Sequence, residues 1–171
     1  MMKLDSNEVL PTGKKGINYT NLKELLAAHQ WQAADLETSK LMLQIMGKKS
    51  WYEVYPADVD RFSYNDLITL DQLWVKYSGG RFGFSVQKGI WLSVGGSLYA
   101  DYDTEKKFAT LVGWKNKTRW LDYQQFTFSL NAPKGHLPLG SHHLRQVWCW
   151  AHLSRLFSRL AYYQLQNHNN N

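Results

Sequence analysis

Residues 67–91 read LITLDQLWVKYSGGRFGFSVQKGIW. Leu67, Leu70, Leu73, Trp74 and Tyr77 recur at i, i+3, i+6, i+7 and i+10, the spacing of one face of a helix. Gly79-Gly80 stops that helix, and Ser85 is placed to cap a second one with Val86 and Ile90 inward. Gly89 inside it costs about 1 kcal/mol relative to alanine. Trp74, Tyr77, Phe82, Phe84 and Trp91 share this stretch with Lys76, Arg81 and Lys88. Such a surface suits a flat apolar ligand with acidic groups at its edge. The stripe itself is explained equally well by an ordinary core.

Towards the N-terminus, Asn18 is positioned to cap a helix whose apolar residues are Tyr19, Leu22, Leu25 and Leu26. His29-Gln30 marks a break. Trp31 to Met46 reads as a second helix with Trp31, Ala34, Thr38, Leu41, Met42 and Ile45 on its face, and Gly47 suits the left-handed position beyond its end. The short connection implies an antiparallel helix pair. Residues 48–63 read as irregular, yet they hold Trp51, Tyr52, Val54, Tyr55 and Phe62. Those side chains either plug into the core or line a site.

Beyond the central stretch, Gly95-Gly96 is a break and Asp103 or Thr104 caps a helix carrying Phe108, Leu111 and Val112. Lys115-Asn116-Lys117 is a turn. Trp120 to Leu130 alternates in part, but no neighbouring segment offers a strand partner, so a short helical or extended loop is expected. Ala132-Pro133 and Leu137-Pro138 force extended or turn geometry before each proline. Ser141 is then expected to cap a long final helix with Leu144, Val147, Trp148, Ala151, Leu156, Phe157 and Leu160 apolar. The reading is an all-α, single domain of about seven helices with long structured loops and no sheet. Residues 1–16 read as a loose arm, 17–163 as the domain, and 164–171 as a polar, fraying tail.

Composition narrows the function. The chain has 171 residues, 44% of them hydrophobic and 15% aromatic, enough for one domain with its own core. Its formal charge of +6 favours acidic partners: nucleic acid, an anionic membrane surface, or a carboxylate-bearing small molecule. Solubility alone explains the charge as well. A single cysteine, Cys149, permits no intrachain disulfide and no cysteine-based zinc site. No apolar run approaches the roughly 20 residues of a membrane span. MMKLDSNEVL lacks the features of a signal or transit peptide.

Four segments together carry a specific resemblance. They are NYTNLKELLAAHQWQAADLETSKLML (18–43), DLITLDQLWVKYSGGRFGFSVQKGIW (66–91), VGW (112–114), and FTFSLNAPKGHLPLG (126–140) with LFSRL (156–160). In this order they resemble the "genomes uncoupled four" family of tetrapyrrole-binding proteins. Gly89 and the FATLVGW stretch are small departures from the family pattern. Many cyanobacterial members also carry an N-terminal helical bundle with no counterpart in these residues. The resemblance implies an all-helical, cup-shaped domain of oxygenic phototrophs, in cyanobacterial cytoplasm or plastid stroma and peripheral to membranes at most. It implies a monomer that binds protoporphyrin IX and Mg-protoporphyrin IX and stimulates magnesium chelatase through its large porphyrin-binding subunit, in chlorophyll biosynthesis. Binding of a bilin instead is left open.

A porphyrin is a rigid apolar plate with two propionates on one edge, so it needs apolar side chains on its face and cations or N–H groups at its rim. Burying ~300 Å² of face at ~25 cal/mol/Å² gives on the order of 7 kcal/mol before association costs, enough for micromolar binding without a covalent link. The expected cradle combines Val54, Tyr55 and Phe62 from the first irregular segment with Trp120, Tyr123 and Phe126 from the second. Leu144 and Arg145 open the last helix, and the resemblance assigns Arg145 to the border of the cup.

Other chemistries are poorly represented. His136, His142, His143 and His152 show no metal-ligand spacing, and His136 is expected to fix the GHLP turn through its ring nitrogens. No GxSxG, P-loop, paired-carboxylate or Cys–His arrangement appears, and Asp58, Asp60 and Asp71 read as cap or surface residues, so the chain is not expected to be an enzyme. The rival reading is a nucleic-acid-binding module, since positive charge with interleaved aromatics also suits stacked bases. The basic residues are scattered rather than striped, which counts against it.

Overall fold

The computed structural model describes residues 16–140 and 153–160. It is all-α: α1 (Thr20–Ala27), α2 (Trp31–Met46), α3 (Pro56–Asp60), α4 (Tyr64–Tyr77), α5 (Phe84–Ser93), α6 (Tyr102–Leu111) and helical residues 153–160. Two 3-10 turns, Trp51–Glu53 and Tyr123–Gln125, interrupt the long connections. No strand occurs among the described residues; an isolated antiparallel bridge pairs Lys115 with Trp120.

The first helices form because their apolar faces meet. The cap position of α1 is Tyr19 rather than Asn18; the Asn18 side chain accepts the Thr20 amide at 2.9 Å from one residue ahead, and α1 buries Leu22 and Leu26. α2 packs against α1 after the turn at His29, and it ends at Gly47 in the left-handed conformation, as its sequence predicts. α4 buries Leu67, Leu70, Leu73 and Trp74 against this pair. The Tyr19 hydroxyl donates to Asp66, tying the entry of α1 to the first turn of α4.

Buried tryptophans are tolerable only where the indole N–H finds an acceptor. Trp74 donates to Thr38 Oγ1 at 2.9 Å and Trp51 to Ser39 Oγ at 2.7 Å, so two hydroxyls on α2 answer two indoles. Trp31, Trp74 and Phe82 make one aromatic cluster, with Trp31 edge-on to Phe82 at 5.6 Å. Trp91, Phe108, Trp114 and Phe157 make another, which attaches residues 153–160 to α5 and α6.

Several sequence expectations shift. α5 begins at Phe84 with Gly83 in the cap position, not at Ser85. The Asp71 carboxylate takes the Ser85 amide at 2.8 Å, so a side chain from α4 caps α5 from outside its own sequence. The inward residues of α5 are Phe84, Gln87, Lys88 and Trp91, while Val86 and Ile90 are half-buried. Asp101, rather than Asp103 or Thr104, caps α6 by accepting the Thr104 amide at 2.8 Å, and Leu111 is exposed. Within 48–63 the chain makes both a 3-10 turn and α3, with Pro56 at the first helical position, where a missing N–H costs nothing. The Ser141 cap and the first half of the expected final helix lie outside the described residues, as do the N-terminal arm and the polar tail. Residues 153–160 are helical and bury Leu153, Leu156, Phe157 and Leu160.

Candidate functional site

The segment 126–140 has little regular structure, and backbone groups without secondary structure must find partners when buried. They are supplied by side chains and backbone groups from distant parts of the chain. Arg81 Nε donates to the Ala132 carbonyl at 2.8 Å, and Gln87 Nε2 donates to the carbonyls of Gly135 and Pro138 at 3.0 and 2.7 Å. The Gly135 and Gly83 amides bond the Arg81 and Leu137 carbonyls at 2.9 and 3.0 Å. Trp114 Nε1 donates to the His136 carbonyl at 2.7 Å. The Leu139 amide donates to Asp35 Oδ1 at 2.6 Å. RFGFSVQ, VGW and APKGHLP are therefore parts of one clamp that satisfies the backbone of the loop.

His136 serves the turn with both ring nitrogens, as its sequence position predicts. Thr127 N donates to Nε2 at 3.2 Å, which makes Nε2 the acceptor. Nδ1 then carries the proton and donates to the Val112 carbonyl at 2.6 Å. Burial holds the imidazole below its usual pKa, against the pull of that bond, and favours the neutral ring. A ring so engaged has no lone pair left for a metal.

The clamp ends at an apolar crevice. Met42 and Met46 of α2, Trp51 of the first 3-10 turn, Val59 of α3, Phe62, Phe84, Leu139, Gly140, Leu153 and Leu156 line it. Its cavity volume is about 10 Å³, room for about one water, so a large ligand enters only by displacing side chains. Two of the lining residues are methionines, the most adaptable apolar side chains.

A cationic rim stands beside this crevice. Lys48, Arg61 and Arg155 each lie within two residues of a lining residue, and they converge on two carboxylates. Lys48 meets Asp58 at 2.9 Å, Arg61 meets Asp58 at 3.3 Å, and Arg155 meets Asp60 at 2.6 Å. Arg159 donates to the Asp60 carbonyl, and its buried Nε has no acceptor among the described residues. Three cations thus meet two carboxylates, and a fourth bonds the Asp60 main chain. The hydrogen bond from Lys48, foremost among several, holds Asp58 below its usual pKa.

The residues expected to form the cradle separate into groups. Phe62 lines the crevice, 1% exposed, and Val54 is buried in the core. Tyr55 is 61% exposed at the start of α3, with Lys48 Nζ 5.7 Å from its ring centre, and so belongs to the rim. Trp120, Tyr123 and Phe126 lie elsewhere. Trp120 donates to the Tyr102 hydroxyl at 3.4 Å beside α6, and Phe126 packs on His136 at 5.4 Å. Tyr123 donates to Asp35 Oδ2 at 3.1 Å. Leu144 and Arg145 lie outside the described residues.

Asp35 links the two groups, since its other oxygen holds Leu139 of the crevice wall. It is 1% exposed, and burial pushes its pKa up to about 7 despite the bonds from Leu139 and Tyr123. Burial foremost, then the Asp35 charge, raises the Tyr123 hydroxyl above its usual range. Asp35 went unread in the sequence; its one signal is a carboxylate four residues after Trp31, on the inward face of α2. The Arg155–Asp60 contact spans 95 residues and has no local signal.

Fold and site together define an all-helical domain with a clamped loop and an apolar crevice edged by cations. The GUN4-like family profile matches residues 12–156, and the chain belongs to that family. It resembles the structure of GUN4 from Chlamydomonas reinhardtii with a TM-score of 0.67 and 31% identity, covering 88% of this chain and 91% of that one. It resembles ligand-free Arabidopsis thaliana GUN4 with a TM-score of 0.68 and 33% identity, covering 82% and 94%. Relatives include a Ycf53-like protein of Synechocystis, 35% identical over 73% of this chain and 52% of that protein. A chloroplastic tetrapyrrole-binding protein of Arabidopsis is 36% identical over 69% of this chain and 46% of its own length. The chain spans about half the length of these two relatives.

Proposed function

We propose that this chain binds a tetrapyrrole non-covalently at the crevice, with protoporphyrin IX or Mg-protoporphyrin IX as ligand, and stimulates magnesium chelatase through its porphyrin-binding subunit. The observation that carries the binding reading is the pairing of an all-apolar floor with a rim on which cations outnumber carboxylates four to two. A porphyrin face needs the first, and two propionates match the surplus of the second. The name of the chloroplastic relative supports the same ligand class. The residues assigned to binding are Phe62 on the floor and Tyr55, Lys48, Arg61 and Arg155 at the rim. Leu144 and Arg145 are retained from the sequence reading.

No step here requires bond making by the protein, and the role is that of a carrier or regulator. With its nitrogens committed to Val112 and Thr127, His136 is not an axial ligand for a chelated magnesium. The test is titration with protoporphyrin IX, following the Soret band and tryptophan fluorescence, beside a single-stranded oligonucleotide. Porphyrin binding with an indifferent oligonucleotide supports the reading. An unchanged Soret band and fluorescence at micromolar porphyrin overturns it. Chelatase turnover with and without the protein then tests the regulatory half.

A further inference from the structure

We propose that Asp35 is a positioning residue for the crevice: by holding Tyr123 and Leu139 with one carboxylate, it couples tetrapyrrole affinity to its own charge. This rests on the reading of the crevice as the ligand site and names a regulation of that site.

The geometry supplies the coupling. Asp35 Oδ1 accepts the Leu139 amide at 2.6 Å, and the Leu139 side chain is part of the crevice wall. Oδ2 accepts the Tyr123 hydroxyl at 3.1 Å, and the Tyr123 ring packs on Phe126 and Phe128 at 6.5 and 5.3 Å. One carboxyl group therefore joins α2, the second 3-10 turn and the segment that closes the crevice. Both of its states satisfy these partners. As a carboxylate it accepts two charge-assisted bonds; as an acid it accepts from Leu139 and donates to the Tyr123 oxygen.

Among the described residues, the groups facing Asp35 leave its charge uncompensated. From the 3-10 turn comes only the Tyr123 hydroxyl, which stays protonated, and from the closing segment only a backbone amide. Among the described residues no cation pairs with it. On its own helix Glu37 and Lys40 pair with each other at 3.3 Å. His136, the neighbouring titratable group of the clamp, is engaged at both nitrogens. Burial places the Asp35 pKa at about 7, so its charge changes across neutral pH.

Linkage fixes the sign. A dianionic apolar plate seated against the Leu139 wall brings negative charge towards a carboxyl group already shut off from water, and that disfavours the carboxylate. The ligand therefore binds the protonated form more tightly, and its affinity falls as pH rises through about 7.

The experiment is a protoporphyrin IX titration by tryptophan quenching between about pH 6 and about pH 8.5, with wild type and Asp35→Asn measured side by side. Asparagine reproduces the acid's hydrogen bonds without its charge, and the porphyrin's own titration is common to both proteins. We expect wild type to lose about fivefold in affinity across this range beyond any loss shown by Asp35→Asn. Tyr123→Phe removes a bond that stabilises the carboxylate, so its transition should move to higher pH, and it serves if Asp35→Asn fails to fold. Identical pH dependence in wild type and the folded variants overturns the proposal. Wild type that binds no porphyrin at any pH overturns the site reading itself, and this proposal with it.

Discussion

Trp114 Nε1 donates to the main-chain carbonyl of His136 at 2.7 Å, with both residues buried. The pairing joins VGW to GHLP, two short segments 22 residues apart in the chain. It supplies the donor that the buried His136 carbonyl needs in an irregular loop. His136 in turn reaches the Val112 carbonyl, so the two residues close a ring of bonds around the end of α6.

His136→Ala removes both ring contacts and leaves the Val112 carbonyl and the Thr127 amide without their partners. Val112 is fully buried, so its stranded carbonyl costs about 1–3 kcal/mol, while the amide of exposed Thr127 can turn to water. We expect a clear fall in the urea midpoint with an unchanged slope. The neutral ring also has a pH signature. The imidazole binds protons near 6.5 when unfolded and only at lower pH when folded, so its contribution to stability is present above 6.5 and is lost as pH falls through the folded value.

Asp35 has the opposite sign. Its folded pKa, about 7, lies above the unfolded 3.8, so its contribution is full below 3.8 and is lost as pH rises to about 7. Asp35→Asn lacks this titration. The stability of Asp35→Asn relative to wild type should therefore increase between about pH 4 and about pH 7 and then level off. Urea melts at several pH values check this, and a difference independent of pH contradicts it.

Phe62 is a floor residue with 1% exposure, which changes what its truncation reports. Phe62→Ala is expected to cost about 3–5 kcal/mol of stability, because it opens a void in a packed core. A binding defect in that variant would be confounded with unfolding. Phe62→Leu keeps most of the apolar volume and is the proper probe of face contact. Thermal melts of the two should separate widely.

Gly113 has φ of +74°, and a Cβ there would lie 2.8 Å from Pro133 Cγ and 3.1 Å from His136 Nδ1. Gly113→Ala therefore combines backbone strain with a collision inside the clamp, at a cost of about 1–3 kcal/mol. A substitution with no effect on the melting temperature would mean that the clamp is looser than its bond lengths suggest.

The helices were legible because their apolar residues repeat along the chain, and the α2 stripe and, apart from half-buried Tyr77, the α4 stripe lie buried where the spacing places them. The caps of α5 and α6 were less so. Asp71 reaches the start of α5 from another helix, a tertiary contact that local sequence does not encode. The same limit applies to the site. Aromatic residues in both irregular segments suggested one cradle, yet Tyr123 and Phe126 turn to Asp35 and His136 while Phe62 turns to the crevice. The rim depends on Asp60 meeting Arg155 across the fold, and nothing near either residue announces it.

The central claim is that the cations beside the crevice recognise the acidic edge of the ligand. Its most direct measurement is the affinity ratio between protoporphyrin IX free acid and its dimethyl ester, in wild type and in Lys48→Ala/Arg61→Ala. Both side chains are at least partly exposed and paired at the surface, so the variant should fold. Wild type should prefer the free acid by about tenfold or more, equivalent to about 1.4 kcal/mol, and the variant should lose most of that preference. An unchanged preference in a folded double variant would contradict the account and move the recognition of the propionates to another part of the protein.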